Sequence, residues 1–374
     1  MIYFDHAATT SIDSEILTSY VSLLSKHFAN PSSIHHAGQE SARLLAKARE
    51  QILTQLGVPE DELIFTSGST EAINLAIKGY ALANAKRGKH MITSAVEHAA
   101  VLQTLLQLRD HFGFTLTVLP VTSEGVIRLD DLKKAMTSET ILVAIMRVNN
   151  EVGSIFPTDE IAQIVHQYPK AVFFSDTTQA MGKIETNFQA LDMFVMSAHK
   201  IYGLKGSGAL IKRKNVMLLP LLSGGGQEGD LRSGTSDFPV HVMLAKALRL
   251  AYASQKASYE TALKLNQEAR RILKSRDDVV INSPESASPF ILNFSLSQKK
   301  ASVVVEALSL KGIMVSSVSA CSSSQFKESD VLLAMGASSQ IAGNTIRLSF
   351  GKENTLAELH TFFDELDTIL KKIR

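Results

Sequence analysis

The residue types best suited to chemistry stand where short apolar runs end. Lys200 follows the run MFVMSA, Asp176 follows AVFFS, His98 follows HMITSAV, and the segment 68–70 (Gly-Ser-Thr) follows LIFTS. In an open parallel sheet, the strand ends that meet at one edge form the crevice in which ligands bind. A lysine amine at such a position can form a Schiff base if its surroundings lower its pKa.

Each of these residues also has an explanation that involves no chemistry. Gly-Ser-Thr before a helix is most often a turn with an N-cap, and a strand-end aspartate such as Asp176 often caps a helix. His98 could equally be a cap or a surface residue, and Lys200 could extend its amine into solvent. The G-x-G at 206–208 is a weak phosphate signal, because it lacks a third glycine and precedes a strand.

Taken together, the strand-end residues fit one cofactor better than any other. Pyridoxal 5'-phosphate (PLP) requires a lysine for its aldehyde, a carboxylate for its pyridinium nitrogen, and a phosphate cradle at a helix N-terminus. Lys200 supplies the amine and Asp176, 24 residues earlier, supplies the carboxylate. The main-chain amides of Ser69 and Thr70 would hold the phosphate, and His98 could stack on the ring and move protons.

Strands and helices alternate along most of the chain, which predicts an α/β fold with a mostly parallel sheet covered by helices. The pattern changes after about residue 240, where one long helix is predicted to connect two domains. We predict a large domain over 15–255. A smaller α+β domain combines 1–14 with 256–374 and carries a polar loop at about 316–328. Thr355 and Glu358 fit a capping box at the start of the last helix.

Composition excludes several classes of protein. The 374 residues carry a formal net charge of +1, which predicts neither a nucleic-acid partner nor a membrane surface. No apolar run is long enough to span a bilayer, and the start of the chain does not have the form of a signal peptide. One cysteine, Cys321, excludes a disulfide framework and favours the cytoplasm. No metal site is predicted.

The chain resembles the NifS-like cysteine desulfurases, PLP enzymes of fold type I in the class V aminotransferase group. The resemblance covers nearly the whole sequence, and its combination of motifs is highly specific. These motifs are YFDHAATT (3–10), NPSSIH (30–35), FTSGSTEAINLAIKG (65–79), VEHAAVL (96–102), VNNEVGSI (148–155), SDTTQAMGK (175–183), SAHKIYGLKGSGAL (197–210), GGGQEGDLRSGT (224–235), SACSSS (319–324) and NTIRLSF (344–350).

The resemblance implies a role for each matching residue. Lys200 binds the cofactor and moves the Cα proton, Asp176 pairs with the pyridinium nitrogen, Gln179 reaches the phenolic oxygen, and His98 serves in acid–base steps. The phosphate-binding positions are Ser69, Thr70, Ser197, His199 and Thr235, the last from the second subunit of a homodimer. Asn30 and Arg347 match the residues that bind the substrate carboxylate, while Asn150 contacts cofactor or substrate.

Cys321 matches the family's nucleophile. A lone cysteine is more often a small buried residue, but SSVSACSSSQ has no apolar face to bury. The implied activity is conversion of L-cysteine to L-alanine with a persulfide on Cys321. The alternatives are a selenocysteine lyase or cysteine-sulfinate lyase on the same fold, or a non-catalytic partner-binding scaffold.

Several departures from the family pattern bear on the sulfur acceptor. Leu204 stands where proline is usual, Thr177 and Thr178 replace smaller or different residues beside Asp176, and 327–329 reads Lys-Glu-Ser where Glu-Pro-Ser is common. The chain ends inside its last helix, without the tail that docks an iron–sulfur scaffold protein in housekeeping members. An iron–sulfur scaffold and an enzyme of tRNA or thiamine thiolation are therefore comparable expectations for the acceptor.

Overall fold

A seven-stranded sheet contains most of the apolar runs noted in the sequence. The computed structural model describes residues 1–297, 299–317 and 328–372. The strands are β2 (Glu62–Thr66), β3 (His90–Ser94), β4 (Thr115–Leu119), β5 (Thr140–Ala144), β6 (Val172–Asp176), β7 (Met193–Ser197) and β8 (Gly208–Lys212), in the order β2-β8-β7-β6-β5-β3-β4. All pairs are parallel except those of β8, which runs antiparallel to β2 and β7.

Helices cover both faces of this sheet. Neighbouring residues of one strand enter different apolar clusters: Val143 and Phe173 pack on one face, while Leu142 and Phe174 pack on the other. This two-sided burial explains why the strands read as continuous apolar runs, and it confirms the predicted fold class. The helices of this part are α1 (Ser14–Lys26), α2 (His36–Gln55), α3 (Ser69–Asn84), α4 (Ala99–Phe112), α5 (Leu129–Ala135) and α6 (Thr158–Val165).

A second set of elements surrounds a separate apolar cluster. β10 (Ile291–Leu296) pairs antiparallel with β9 (Val279–Ile281) and β12 (Thr345–Ser349), and β1 (Ile2–Tyr3) pairs in parallel with β11 (Ile313–Met314). Phe4 from the N-terminal segment packs in the same cluster as Phe294 and Phe362. The domain boundaries at 14/15 and 255/256 stay a prediction. Helices α8 (Ala301–Leu310) and α11 (Leu356–Lys372) pack on this second cluster, whereas α9 (Asp330–Ala334) and α10 (Ser339–Gly343) contribute Val331, Leu332 and Ala342 to the main-sheet cluster.

Two predicted helical features are confirmed. The long helix is continuous as α7 (Phe238–Lys274), and its residues enter both the main-sheet cluster and the second cluster. At the start of α11, Glu358 accepts from the main-chain N–H of Thr355 at 2.9 Å, and Thr355 Oγ1 accepts from that of Glu358 at 3.2 Å. Among the described residues, every helix is too short or too polar to cross a membrane.

Candidate active site

A cavity of about 600 Å³ lies at the edge of the main sheet where β2, β6 and β7 end. Its wall contains most of the residues singled out in the sequence, although they come from segments up to 278 positions apart (69 to 347). Ten of the predicted site residues line it: Ser69, Thr70, His98, Asn150, Asp176, Gln179, Ser197, His199, Lys200 and Arg347. The strand-end residues therefore converge as the parallel topology predicts.

Two of the predicted phosphate-binding positions, Ser69 and Thr70, lie at the N-terminus of α3, a helix of 16 residues. Gly68 precedes this helix and gives it no side-chain cap, so the first amides are not capped by that residue. A Cβ atom at Gly208 would lie 2.6 Å from the Cα of Gly68. Glycine at 208 is therefore required for β8 to approach this turn. The hydroxyls of Ser69 and Thr178 lie 2.8 Å apart and help to fix the first turn.

Lys200 reaches across the cavity to the N-terminal segment. Its Nζ donates to the carbonyl of Ala7 at 2.6 Å and to that of Ala8 at 2.7 Å. The preceding residue holds the same segment, since the main-chain N–H of Thr10 donates to the carbonyl of His199 at 2.9 Å. Lys200 is therefore held against the main chain of residues 7–10.

Two buried carboxyl groups lie at this site: Asp176 in the cavity wall, and Glu97 next to His98 in the chain. Asp176 accepts from the main-chain N–H of Thr178 at 3.0 Å. Glu97 accepts from Ser94 Oγ at 2.6 Å and from the main-chain N–H of Met146. Burial, reinforced by the charge of Asp176, raises the pKa of Glu97 to about 8 against those hydrogen bonds. Glu97 is therefore mainly protonated near neutral pH.

The two histidines of the site have different surroundings. His98 is the N-cap of α4, and its Nδ1 accepts from the main-chain N–H of Ala100 at 3.1 Å. His98 therefore caps α4 and also lines the cavity. Because Nδ1 accepts this hydrogen bond, the neutral form of the ring has its proton on Nε2. His199 contacts Thr9 Oγ1 through Nδ1 at 3.1 Å. Burial, and then the charge of Lys200, lower the pKa of His199 to about 4, so its ring is neutral.

Arg347 is the buried cation of the opposite wall, with only 4% exposure. Its Nη2 donates to Asp5 Oδ1 at 2.8 Å, and its Nη1 donates to the carbonyl of Asn150 at 2.9 Å. Its Nε is buried with no hydrogen-bond partner among the described residues. A buried guanidinium with an unused donor is suited to a carboxylate ligand.

Three predicted site residues are not part of this cavity. Asn30 is exposed and its side chain accepts from the main-chain N–H of Ser32. Thr235 is exposed and does not line the cavity of its own chain. A residue that reaches the site of a partner subunit is expected to be exposed in the single chain. Cys321 lies outside the described residues. The roles of all three stay predictions.

The structure adds residues that the sequence did not single out. Glu97 and Asp5 stand inside quoted motifs, but only the fold shows their partners. Lys183 donates to Gln179 Oε1 at 3.0 Å. Half-buried Glu151 accepts from Ser329 Oγ at 2.6 Å, which ties the loop after β5 to the residues just beyond the cysteine loop. Most of these pairs join positions that are far apart in the sequence. A periodic pattern in the sequence could not reveal them.

Comparison with known proteins agrees with this arrangement. The profile of the family described as Aminotransferase class-V matches residues 2–362. The chain is 41% identical to a NifS/IcsS protein homolog of Lactobacillus delbrueckii subsp. bulgaricus, covering 100% of this chain and 99% of that protein. It is also 41% identical to the cysteine desulfurase IscS of Dictyoglomus turgidum, covering 100% and 95%. A solved structure named NifS-like protein superposes with a TM-score of 0.93 at 36% identity, with both chains fully covered.

The chain belongs to the class-V aminotransferase family. Within it, the curated relatives and the solved structure place it among the NifS-like proteins.

Proposed function

We propose that the protein is a cysteine desulfurase that uses PLP to transfer sulfur from L-cysteine to Cys321, leaving L-alanine. The observation that carries the proposal is the convergence of Lys200, Asp176 and the N-terminus of α3 on one cavity that also contains Arg347. Relatives named cysteine desulfurase, 36–41% identical over the whole chain, support the same reaction.

The cavity fits PLP in size and in the chemistry of its wall. The first turn of α3, together with Ser197 and His199, would hold the phosphate. The neutral state of the His199 ring leaves it able both to donate and to accept a hydrogen bond. Buried Asp176 would hold the ring nitrogen, and Gln179 the phenolic oxygen. Lys200, at the end of β7, would hold the aldehyde.

PLP supplies an electrophilic aldehyde and a conjugated ring that accepts electron density from the carbon next to a bound amine. The chain's own residues do the rest. The Lys200 amine takes the Cα proton of cysteine and returns protons to carbon. Asp176 keeps a proton on the ring nitrogen by electrostatic attraction. Arg347 binds the substrate carboxylate. Asn150 lies next to Arg347, because its main-chain carbonyl accepts a hydrogen bond from the guanidinium.

Sulfur transfer to Cys321 balances without an external oxidant. The Cys321 thiolate attacks the substrate sulfur, an S–S bond forms, and the C–S bond breaks with its electron pair moving to carbon. That carbon takes a proton and becomes the methyl group of alanine. The enzyme is left with a persulfide, which an acceptor protein then receives. An iron–sulfur scaffold and a thiolation enzyme both match this chemistry.

The functional unit in this proposal is a homodimer. Large apolar side chains are exposed on and after α1, with Phe28 at 87% and Ile34 at 91% exposure, and Leu17 and Val21 precede them. A second copy would cover such a surface. Thr235 would then reach the phosphate site of the partner. Sedimentation should give twice the chain mass, and Thr235→Ala should weaken PLP binding without dissociating the dimer.

The central experiment compares wild type, Lys200→Ala and Cys321→Ala for cysteine-dependent release of alanine and sulfide in the presence of a thiol reductant. Lys200→Ala should lose both products, by roughly 10²–10⁴-fold or more in kcat. Cys321→Ala should still bind cysteine and change the visible spectrum, yet release almost no sulfur. Lys214→Ala is the matched control, because it removes an exposed lysine paired with Glu60 far from the cavity.

The outcomes separate the alternatives. Wild type that binds PLP but makes no alanine from cysteine overturns the proposal. Sulfide release at the wild-type rate by Cys321→Ala overturns the persulfide step, and full activity of that variant with selenocysteine or cysteine sulfinate identifies the lyase alternative. A protein that stays colourless with added PLP indicates a non-catalytic scaffold.

A further inference from the structure

A second lysine is connected to the catalytic lysine by hydrogen bonds. Lys183 follows Gln179 by four residues in the turns after β6, so the two side chains lie on the same side. Lys183 Nζ donates to Gln179 Oε1 at 3.0 Å, and Gln179 Nε2 donates to the carbonyl of Ala7 at 2.9 Å. That carbonyl also accepts from Lys200 Nζ at 2.6 Å.

While Lys183 is charged, this network allows only one orientation of the Gln179 amide. A lysine amine in its charged form only donates, and a main-chain carbonyl only accepts. The amide oxygen must therefore face Lys183, and the amide nitrogen must face Ala7. Ala7 lines the large cavity, whereas Lys183 lines a smaller cavity behind Lys200. The second N–H of the amide is left on the side of the large cavity.

Lys183 is also a charge that can be lost near neutral pH. Burial, followed by the positive charges of Lys200 and Arg347, lowers the pKa of Lys183 to about 7. His6, on the small cavity, has its pKa lowered to about 4 by burial and then by Lys183, so it stays neutral. The ionisable groups around Lys183, taken from the small cavity and from the charges that act on it, are Lys200, Arg347, His6, His199, Asp13, Tyr202 and Lys352.

We propose that Lys183 is a positioning residue for the cofactor site. It turns the Gln179 amide N–H toward the phenolic oxygen of PLP. It also places a positive charge behind Lys200, and this charge disfavours protonation of the nitrogen that links Lys200 to the cofactor. The proposal rests on the proposed function, since it assumes that PLP is bound at Lys200. Lys183 need not contact substrate in this arrangement.

The test is a pH titration of the visible spectrum of the PLP-bound protein without substrate. Lys183→Met removes both the charge and the donor to Gln179. Each loss stabilises the protonated chromophore, so the midpoint should rise by about one pH unit, or tenfold in proton affinity. Lys183→Arg keeps a charged group that only donates and should stay within about 0.3 unit of wild type. Lys264→Met, on the exposed face of α7, controls for net charge.

The outcomes distinguish this inference from the proposed function. A wild-type protein with no visible PLP band contradicts the proposed function itself. A normal band whose midpoint does not move in Lys183→Met overturns the role of Lys183 alone, even if cofactor affinity or thermal stability falls. If Lys183→Met does not fold, Lys183→Gln provides the same loss of charge in a polar side chain, and an unchanged midpoint there is equally decisive.

Discussion

The two walls of the cavity are built in different ways. One wall consists of residues at the carboxyl ends of strands of a single sheet, such as Asp176, the last residue of β6, and Lys200, three residues beyond β7. The other wall joins the first residues of the chain to the last strand, because Asp5 pairs with Arg347 across 342 positions. The first wall is fixed by local chain geometry, whereas the second depends on long-range contacts. The strand-end wall holds the proposed cofactor, and the long-range wall faces the proposed substrate.

The largest effect is expected in the strand-end wall. Asp176→Asn removes the negative charge that would hold a proton on the cofactor ring, and kcat should fall by roughly 10²–10⁴-fold. The fold should persist, because asparagine can still accept from the main-chain N–H of Thr178. Steady-state alanine formation checks the activity, and circular dichroism checks the fold. A variant within threefold of wild type would contradict the role of Asp176.

A smaller effect, on substrate binding, is expected in the long-range wall. Asp5→Asn weakens the charge-assisted hydrogen bond that fixes Arg347, so KM for cysteine should rise about 10-fold with less change in kcat. Asp278→Asn is the matched control, since it also breaks an arginine pair, with Arg276, far from the cavity. If the two variants have equal KM values, Asp5 does not position Arg347.

The anchor beyond the cysteine loop should affect stability. Ser329→Ala removes both the N-cap of α9 and the partner of half-buried Glu151, at a cost of about 1–3 kcal/mol in the free energy of unfolding. Ser338→Ala removes an equivalent cap from α10 at an exposed position. Denaturant unfolding should therefore show the larger loss for Ser329→Ala. Equal losses would mean that the Glu151 contact adds nothing.

The last prediction concerns Glu97 and the pH dependence of stability. The folded pKa of about 8 lies above the usual value of 4.5, so the folded state binds more protons and stability falls as pH rises between these values. Glu97→Gln should remove a slope of about 1.4 kcal/mol per pH unit in that window. The difference in unfolding free energy between variant and wild type, measured at pH 6 and pH 7, checks this. A constant difference would place the Glu97 pKa outside the range.

The same contrast between walls explains what the sequence could predict. Runs such as AVFFS and MFVMSA identify buried strands because their apolar pattern is local, and strand ends share one edge by topology. The antiparallel direction of β8 was not predicted, since a fully buried strand has the same pattern in either direction. Helix α1 was also missed, because exposed Leu17, Val21 and Leu24 obscure its amphipathic pattern. No local pattern could show that Asp5 meets Arg347.

The link between Asp5 and Arg347 has a consequence for biosynthesis. The first residues leave the ribosome long before their partner on β12 exists. At about 5–20 residues per second, the 342 intervening positions take roughly 17–70 s to translate. Until then the nascent chain has neither the buried guanidinium nor the docked N-terminal segment that holds Lys200. The long-range wall of the cavity can therefore form only after β12 has been synthesised, later than the strand-end wall.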